Sequence, residues 1–154
     1  MIDNDDKILL GLAALVKKLG YEVEFLQQSE ELPLSMLSIQ LEKDWKDIPQ
    51  FLVLSIYPMG DELDGSDFIQ FYFQYPYEMD KAKKNQILLE QQIANQQLAL
   101  GHFNLDADDQ YVYFKYVYAA AKNTELTLAL LCDVLDMCVY AQDAYLEKFE
   151  GFSK

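Results

Sequence analysis

The residue types that most often carry catalysis or metal binding are scarce in this chain. His102 is the only histidine. No cysteine or serine is spaced to act beside it as a nucleophile, and there is no second imidazole to share a metal ion. His102 lies in a strand-like segment, where it falls on the polar side together with Asn104 and Asp106. We therefore expect a surface or edge-strand histidine without a chemical role.

The two cysteines are poorly placed for joint chemistry. Cys132 and Cys138 lie six residues apart in one predicted helix, which turns one about 600° relative to the other. They do not share a helix face and cannot form a disulfide bond without breaking the helix. We expect two buried free thiols.

Two acidic clusters contain the oxygen ligands that a hard cation prefers. The first begins at Asn104 and resembles the start of a calcium loop, but Asp109 stands where that loop needs glycine and Lys115 where it needs glutamate. The second, Asp61–Asp67, is better explained as a solvated hairpin turn. The chain also lacks a glycine-rich phosphate loop, a Cys-x-x-Cys and a Gly-x-Ser-x-Gly. We predict no catalytic residue, no cofactor site and no metal site.

The charge balance narrows the classes of partner. The chain has 26 acidic and 12 basic residues, for a formal net charge of −14, and every basic residue is lysine. The forked donor of arginine, which holds phosphates and carboxylates bidentately, is therefore missing. So acidic a chain repels a nucleic-acid backbone and an anionic membrane surface. We expect neither nucleic acid nor membrane as a partner, whereas a basic protein surface is electrostatically favourable.

The N-terminal region carries no export pattern. Residues 1–6 are acidic, which is the wrong sign for a secretory signal. The longest apolar run, Ile8–Val16, covers nine residues including a glycine and is too short to cross a bilayer. We expect a cytoplasmic protein.

Hydropathy periodicity predicts nine elements in the order α-β-β-β-β-α-β-β-α. Apolar residues recur at helical spacing in three segments, alternate with polar ones in five, and run almost without interruption in one further strand-like segment. The predicted ranges are a helix from the acidic N-terminus to Gly20, strands over 21–27, 36–42, 51–57 and 68–75, a helix over 81–98, a hairpin over 101–118 and a helix over about 124–150. The pattern predicts an α+β fold in a single domain (1–154), with helices packed on an antiparallel sheet of five to six strands.

Two segments are more apolar than one buried face requires. The strand over 51–57 is nearly continuously apolar, as expected of a central strand covered on both faces. The first half of the last helix, Leu126–Leu135, is apolar nearly all round and needs cover on both sides, from the sheet and helix two or from another subunit. Its second half has an apolar stripe opposite an acidic one, the apolar residues being Cys138, Ala141, Tyr145 and Phe149.

The element order resembles that of type III secretion chaperones and of YbjN-type sensory-transduction regulators. The likeness is carried by residues 93–95 at the end of helix two, by 100–106 (LGHFNLD) and by 111–116 (YVYFKY), with a long acidic helix after them. The resemblance implies a type III secretion chaperone-like fold that commonly pairs into a homodimer. It also implies a non-enzymatic binding protein, either an escort of a partly unfolded client or a regulator.

Tyrosines in the strands are the best candidates for a partner surface. Tyr111 and Tyr113 alternate with the apolar Val112 and Phe114, so both sides of this strand are aromatic or apolar. Packing within the sheet explains many strand aromatics. Tyrosine also supplies a large contact area at low entropic cost. We hypothesise that Tyr72, Tyr111 and Tyr113 form a surface for a protein partner or client segment.

These observations favour a cytoplasmic, homodimeric protein-binding module that acts as a chaperone-like escort or regulator. It would bury apolar side chains of a partner segment and pair with that segment at a strand edge. Two alternatives stay open. One is a small enzyme or small-molecule-binding protein that uses carboxylates and tyrosines in a pocket. The other is a structural subunit that is stable only inside a larger complex.

Overall fold

The computed structural model describes residues 3–59 and 62–154. Within these residues it has three α-helices, six β-strands and one 3₁₀ turn in the predicted order, so the α+β class is confirmed. The bounds are α1 Asn4–Lys18, β1 Glu22–Leu26, β2 Met36–Gln40, β3 Phe51–Ile56, β4 Ser66–Gln74, the 3₁₀ turn Lys81–Lys83, α2 Lys84–Gln97, β5 His102–Leu105, β6 Val112–Ala121 and α3 Leu128–Glu150.

The six strands form an antiparallel sheet in the order β1-β2-β3-β4-β6-β5. The first four strands follow one another as a meander, which is the simplest connection of consecutive strands. The register places Ile39 opposite both Val23 and Leu52, so apolar residues share one face of the sheet. In the last hairpin Phe103 lies opposite Phe114.

The chain divides into two compact units. The first comprises Met1–Phe71 and Val117–Asp136, and the second comprises Tyr72–Tyr116 and Met137–Lys154. The expectation of a single domain stays a prediction.

In the first unit α1 packs on β1, β2 and β3. Acidic residues occupy its first turn and Lys17 and Lys18 its last, which suits the helix dipole. Asp3 stands at the N-cap position, although its carboxylate makes no capping hydrogen bond. Gly20 follows with a φ of +92°, which only glycine adopts without strain, and the helix ends there. The apolar side chains that α1 buries recur at the predicted spacing and are Leu9, Leu12, Ala13 and Val16.

The second unit is built around an aromatic core. Phe73 stacks on Phe114 with ring centroids 4.9 Å apart. Phe103 of β5 lies edge-on to both rings, at 5.9 Å and 5.5 Å. Phe149 of α3 completes the cluster, 5.1 Å from Phe103. Stacked and edge-on pairs of this kind contribute about 0.5–1.5 kcal/mol beyond the area they bury.

Tyr75 anchors α3 to β4 in this unit. Its ring is buried, and its hydroxyl donates a hydrogen bond of 2.7 Å to the main-chain oxygen of Gln142. The bond satisfies the polar atom that this side chain takes out of water. The predicted apolar stripe of the helix is confirmed, since all four of its members are buried, namely Cys138, Ala141, Tyr145 and Phe149.

The last helix begins later than the sequence pattern predicts. The Lys122 N–H donates to the Gly65 oxygen at 3.1 Å, so strand pairing continues into residues that the pattern assigned to the connection. Thr127 then caps the helix, its Oγ1 accepting the N–H of Leu130 at 3.2 Å. For these two reasons α3 starts at Leu128.

The two segments expected to be covered on both sides differ in their cover. Leu52 and Leu54 of β3 are fully buried; on the opposite face Phe51 is 46% exposed, whereas Ser55 is buried. At the start of α3, Leu131 is buried but Leu128 is 39% exposed. The expectation of cover on both sides is therefore correct for the second half of β3, and it is wrong for the start of α3 in this chain by itself. Among the described residues, no helix combines the length and the apolarity that crossing a bilayer requires.

Candidate functional site

Two of the three candidate tyrosines form a stacked pair in the second unit. Tyr72 on β4 and Tyr113 on β6 have ring centroids 5.5 Å apart and planes at 28°. Each is followed by a buried phenylalanine, Phe73 and Phe114 respectively, so the pair lies on the face opposite the aromatic core. Both tyrosines are only half-buried. The pair therefore presents an aromatic surface to solvent.

The Tyr72 hydroxyl is a donor at neutral pH. It donates to Oε1 of Gln74 at 3.0 Å. Partial burial raises the pKa of Tyr72, and Tyr113 and the carboxylate of Asp106 add to the effect. A hydroxyl with a raised pKa is not a nucleophile or a general base at neutral pH.

Tyr111, the third candidate, lies outside the pair. Its N–H donates to Oδ1 of Asp106 at 3.0 Å, and its main-chain oxygen accepts the Asp106 N–H at 2.9 Å. These bonds close the turn between β5 and β6, and Tyr111 precedes the first residue of β6. Its backbone has a structural role, so the structure brings together Tyr72 and Tyr113 and leaves Tyr111 in the turn.

The free edge of β5 is covered by a side chain of α2. The Phe103 N–H donates to Oδ1 of Asn95 at 2.7 Å, and Nδ2 of Asn95 donates to the Phe103 oxygen at 3.1 Å. One carboxamide thus satisfies both backbone groups of Phe103, as a neighbouring strand would. His102 lies on the same edge strand and is exposed, which confirms the prediction of an edge-strand histidine.

The two cysteines are free thiols in different surroundings. Cys138 is buried, which raises its pKa to about 12. Cys132 is half-buried, with Sγ 3.8 Å from Oδ2 of Asp136. Burial and the carboxylates of Asp136 and Asp133 raise its pKa. Neither thiol is activated as a nucleophile. The expectation of full burial is correct for Cys138 and wrong for Cys132.

The acidic segment that resembles a calcium loop is a tight hairpin turn. Oδ1 of Asp106 accepts the N–H of Gln110 at 2.6 Å, and Asp109 pairs with Lys84 at 2.7 Å. The Asp106 carboxylate is thus engaged within the turn, and the Asp109 carboxylate is paired with α2. Across the described ranges, no group of three or more histidine, cysteine or acidic residues could hold a metal ion. In the second cluster, Asp61 lies outside the described residues.

A groove of about 710 Å³ in the first unit was not predicted from the sequence. Its walls come from α1, the start of β4 and the connection between β6 and α3. The pattern of α1 indicates only a buried stripe, and segments so far apart in the chain carry no joint signal. Asp67 and Glu125 line the groove, but its described lining includes no tyrosine. The apolar side chains along it are Ile8, Leu12, Leu15, Ile69 and Leu126.

The only tryptophan of the sequence was also not identified as a candidate from the sequence pattern. Trp45 is 63% exposed on the hairpin over residues 41–50, and Nζ of Lys46 lies 4.9 Å from its ring centre. The hairpin is firmly held, because Oδ1 of Asp44 accepts the N–H groups of Lys46 and Ile48, each at 2.9 Å. The loop thus displays an aromatic side chain on an ordered backbone.

Comparison with known proteins does not assign this chain to a family. The chain matches no protein-family model, and no curated protein matches its sequence.

Proposed function

We propose that this chain is a non-enzymatic protein-binding module, a chaperone-like escort or regulator that works in the cytoplasm as a homodimer. The observation that carries the proposal is the stacked, half-buried pair of Tyr72 and Tyr113. Stacking fixes both rings before a partner arrives, so binding orders few additional side chains. The resemblance to secretion chaperones and YbjN-type regulators agrees with this function.

The surroundings of the pair favour contact with an apolar partner segment. Gln74 on β4 and Asn104 on β5 lie on the same face as the tyrosines and are polar but uncharged. Uncharged neighbours are less costly to desolvate than ionised ones. Charged groups border the pair, because Lys115 follows Tyr113 by two residues on β6 and the Asp106 carboxylate acts on Tyr72. The apolar contact is therefore confined to the two rings and their uncharged neighbours.

Within this proposal, β1 is the strand edge to which a partner strand adds by backbone hydrogen bonds. Asn95 occupies backbone groups of β5, and β1 is the other edge of the sheet. Glu22 and Glu24 lie on β1. Their charges favour a partner strand with basic side chains.

Site-specific photo-cross-linking in the native host tests the proposal. Tyr113→p-benzoylphenylalanine places the reactive group in the pair, and Tyr140→p-benzoylphenylalanine is the control, since Tyr140 is 58% exposed on α3. We expect a discrete cross-linked partner from position 113 and not from position 140. Sedimentation of the purified chain should give twice the chain mass of 17.9 kDa.

The binding constant of the cross-linked partner then decides the role of the pair. Tyr113→Asp should weaken binding at least about thirtyfold, as expected of a central aromatic contact, and Tyr140→Asp should change it by less than about twofold. If apolar burial dominates, raising the salt concentration has only a modest effect. Unchanged affinity of a folded Tyr113→Asp variant would contradict the proposal.

A further inference from the structure

The β5–β6 hairpin carries the side chains of its outer face, opposite the aromatic core, in two rows. Residues directly opposite each other in antiparallel strands lie on the same face of a sheet. β5 pairs Asn104 with Tyr113 and His102 with Lys115. Tyr113 belongs to the stacked tyrosine pair, so both rows lie on the face that the proposed function assigns to a partner. One row is uncharged, and the other contains a lysine and a histidine.

Tyr72 of β4 extends the row that contains Lys115. The N–H of Tyr75 donates to the oxygen of Val112 at 3.0 Å, which fixes the register of β4 against β6. Counted from this pair, Tyr72 lies opposite Lys115. Lys115 therefore stands between Tyr72 on one side and His102 on the other. We call these three residues the basic row.

The basic row carries a charge of opposite sign to that of the whole chain. The chain has a net charge of −14, whereas the paired positions of β5 and β6 on this face hold a lysine and no carboxylate. Lys115 is half-buried and His102 is exposed. Lysine supplies three donors, and a neutral imidazole supplies one ring N–H. Because charges more than about 8 Å away are largely screened at physiological salt, a segment on this face responds first to Lys115.

Asp106 gives the face an electrostatic direction along the strands. It lies at the turn of the hairpin, four residues from His102, which is about 13 Å of extended chain. Its Oδ1 accepts the N–H groups of Gln110 and Tyr111, at 2.6 Å and 3.0 Å. A partner carboxylate is therefore repelled at the turn and attracted at the basic row.

We propose that this face selects a partner segment in which an apolar residue and an aspartate or glutamate are two positions apart. Residues two apart in an extended segment lie on the same side, separated by about 6.7 Å, which is also the spacing of the two rows. The apolar side chain covers the tyrosine pair, and the carboxylate reaches Lys115 and His102, away from the turn. This inference rests on the proposed protein-binding function and names the class of its partner.

Selection from a displayed library of random twelve-residue peptides tests the proposal. The full chain is the target, and Tyr113→Asp removes peptides that bind elsewhere. We expect the retained peptides to be enriched in an apolar residue two positions from an acidic one, in either order. Lys115→Glu should enrich lysine or arginine at that position instead. Lys81→Glu makes the same change in net charge at an exposed position outside the face and should leave the enrichment unchanged.

The affinity of one retained peptide then measures the ion pair. Lys115→Gln removes the charge and should weaken binding about two- to fivefold, as expected of an exposed pair. Changing the acidic residue of the peptide to its amide should have the same effect on the original chain and almost none on Lys115→Gln. Circular dichroism establishes that each variant is folded.

Three results would overturn the inference. Enrichment of apolar residues without an acidic one, or unchanged enrichment with folded Lys115→Glu, would reject the acidic partner and leave the tyrosine pair as a binding surface. If no peptide distinguishes the chain from Tyr113→Asp, the face does not select extended segments. Cross-linking from position 113 decides separately on the protein-binding function.

Discussion

At the scale of single residues, Gly101 is constrained both by its backbone conformation and by the atoms around it. It joins α2 to β5 with a φ of +73°, and a Cβ there would meet the ring of Phe114 and lie 3.0 Å from the Lys115 oxygen. Gly20 also has a positive φ, but a Cβ there would meet nothing within 4 Å. Comparing substitutions at the two glycines therefore separates the energetic cost of backbone strain from that of crowding.

We expect Gly101→Ala to lower the free energy of unfolding by about 3 kcal/mol, the sum of left-handed backbone strain and overpacking against Phe114. Gly20→Ala carries the strain alone and should cost about 1 kcal/mol. Urea denaturation followed by circular dichroism measures both changes. Equal losses in the two variants would mean that the Phe114 ring moves aside without cost.

At the scale of elements, a side chain of α2 makes the hydrogen bonds to β5 that a further strand of the sheet would make. Asn95 is positioned by the helix and bonds the backbone of Phe103 on both its donor and its acceptor. A sheet edge without such a cover pairs readily with the strands of other chains. The side chain thus contributes both stability and protection from aggregation.

Asn95→Ala should lower the free energy of unfolding by about 1–3 kcal/mol, because two backbone groups lose their partner. It should also increase self-association. Gln96→Ala, at an exposed neighbouring position of α2, is the control and should change little. Thermal melts and sedimentation velocity provide the two readouts. An Asn95→Ala variant that is stable and does not associate would show that water replaces the carboxamide fully.

The elements also show which parts of the fold local sequence can specify. The apolar spacing of α1 and the alternation of β2 were sufficient because each depends on one buried face. The start of α3 was not predictable, because it depends on the bond between Lys122 and Gly65, which lie far apart in the chain. From the sequence, Tyr72 and Tyr113 could be identified only as aromatic residues of two strands. Their stacking depends on β4 and β6 being neighbours in the sheet, which the local sequence does not specify.

At the scale of the whole molecule, we expect buried groups that must stay protonated to set the alkaline limit of stability. Burial raises the pKa of Cys138 from 9.0 to about 12 and raises that of Tyr75 above its usual value of 10.0. A raised pKa in the folded state means that the stabilisation is complete below the unfolded pKa and is lost as the pH rises towards the folded value. Stability should thus begin to fall near pH 9.

We expect the urea midpoint to be insensitive to these two groups at pH 8 and to decrease from about pH 9 upwards, each group contributing at most about 1.4 kcal/mol per pH unit. Cys138→Ala should flatten the decrease between pH 9 and pH 10, where the unfolded pKa of 9.0 makes Cys138 contribute more than Tyr75. Cys132→Ala, which removes the half-buried thiol, should flatten it less. The same slope in all three proteins would assign the alkaline limit to other groups.

The hairpin around Trp45 has a practical consequence for the study of this molecule. Because Trp45 is the only tryptophan and is 63% exposed, the intrinsic tryptophan fluorescence reports the solvent around one loop and not the interior. Its emission should already be close to that of tryptophan in water, so unfolding followed by this signal would look nearly silent while the core melts. For the same reason, a blue shift on mixing with a candidate partner would place that partner near residues 41–50, without any label.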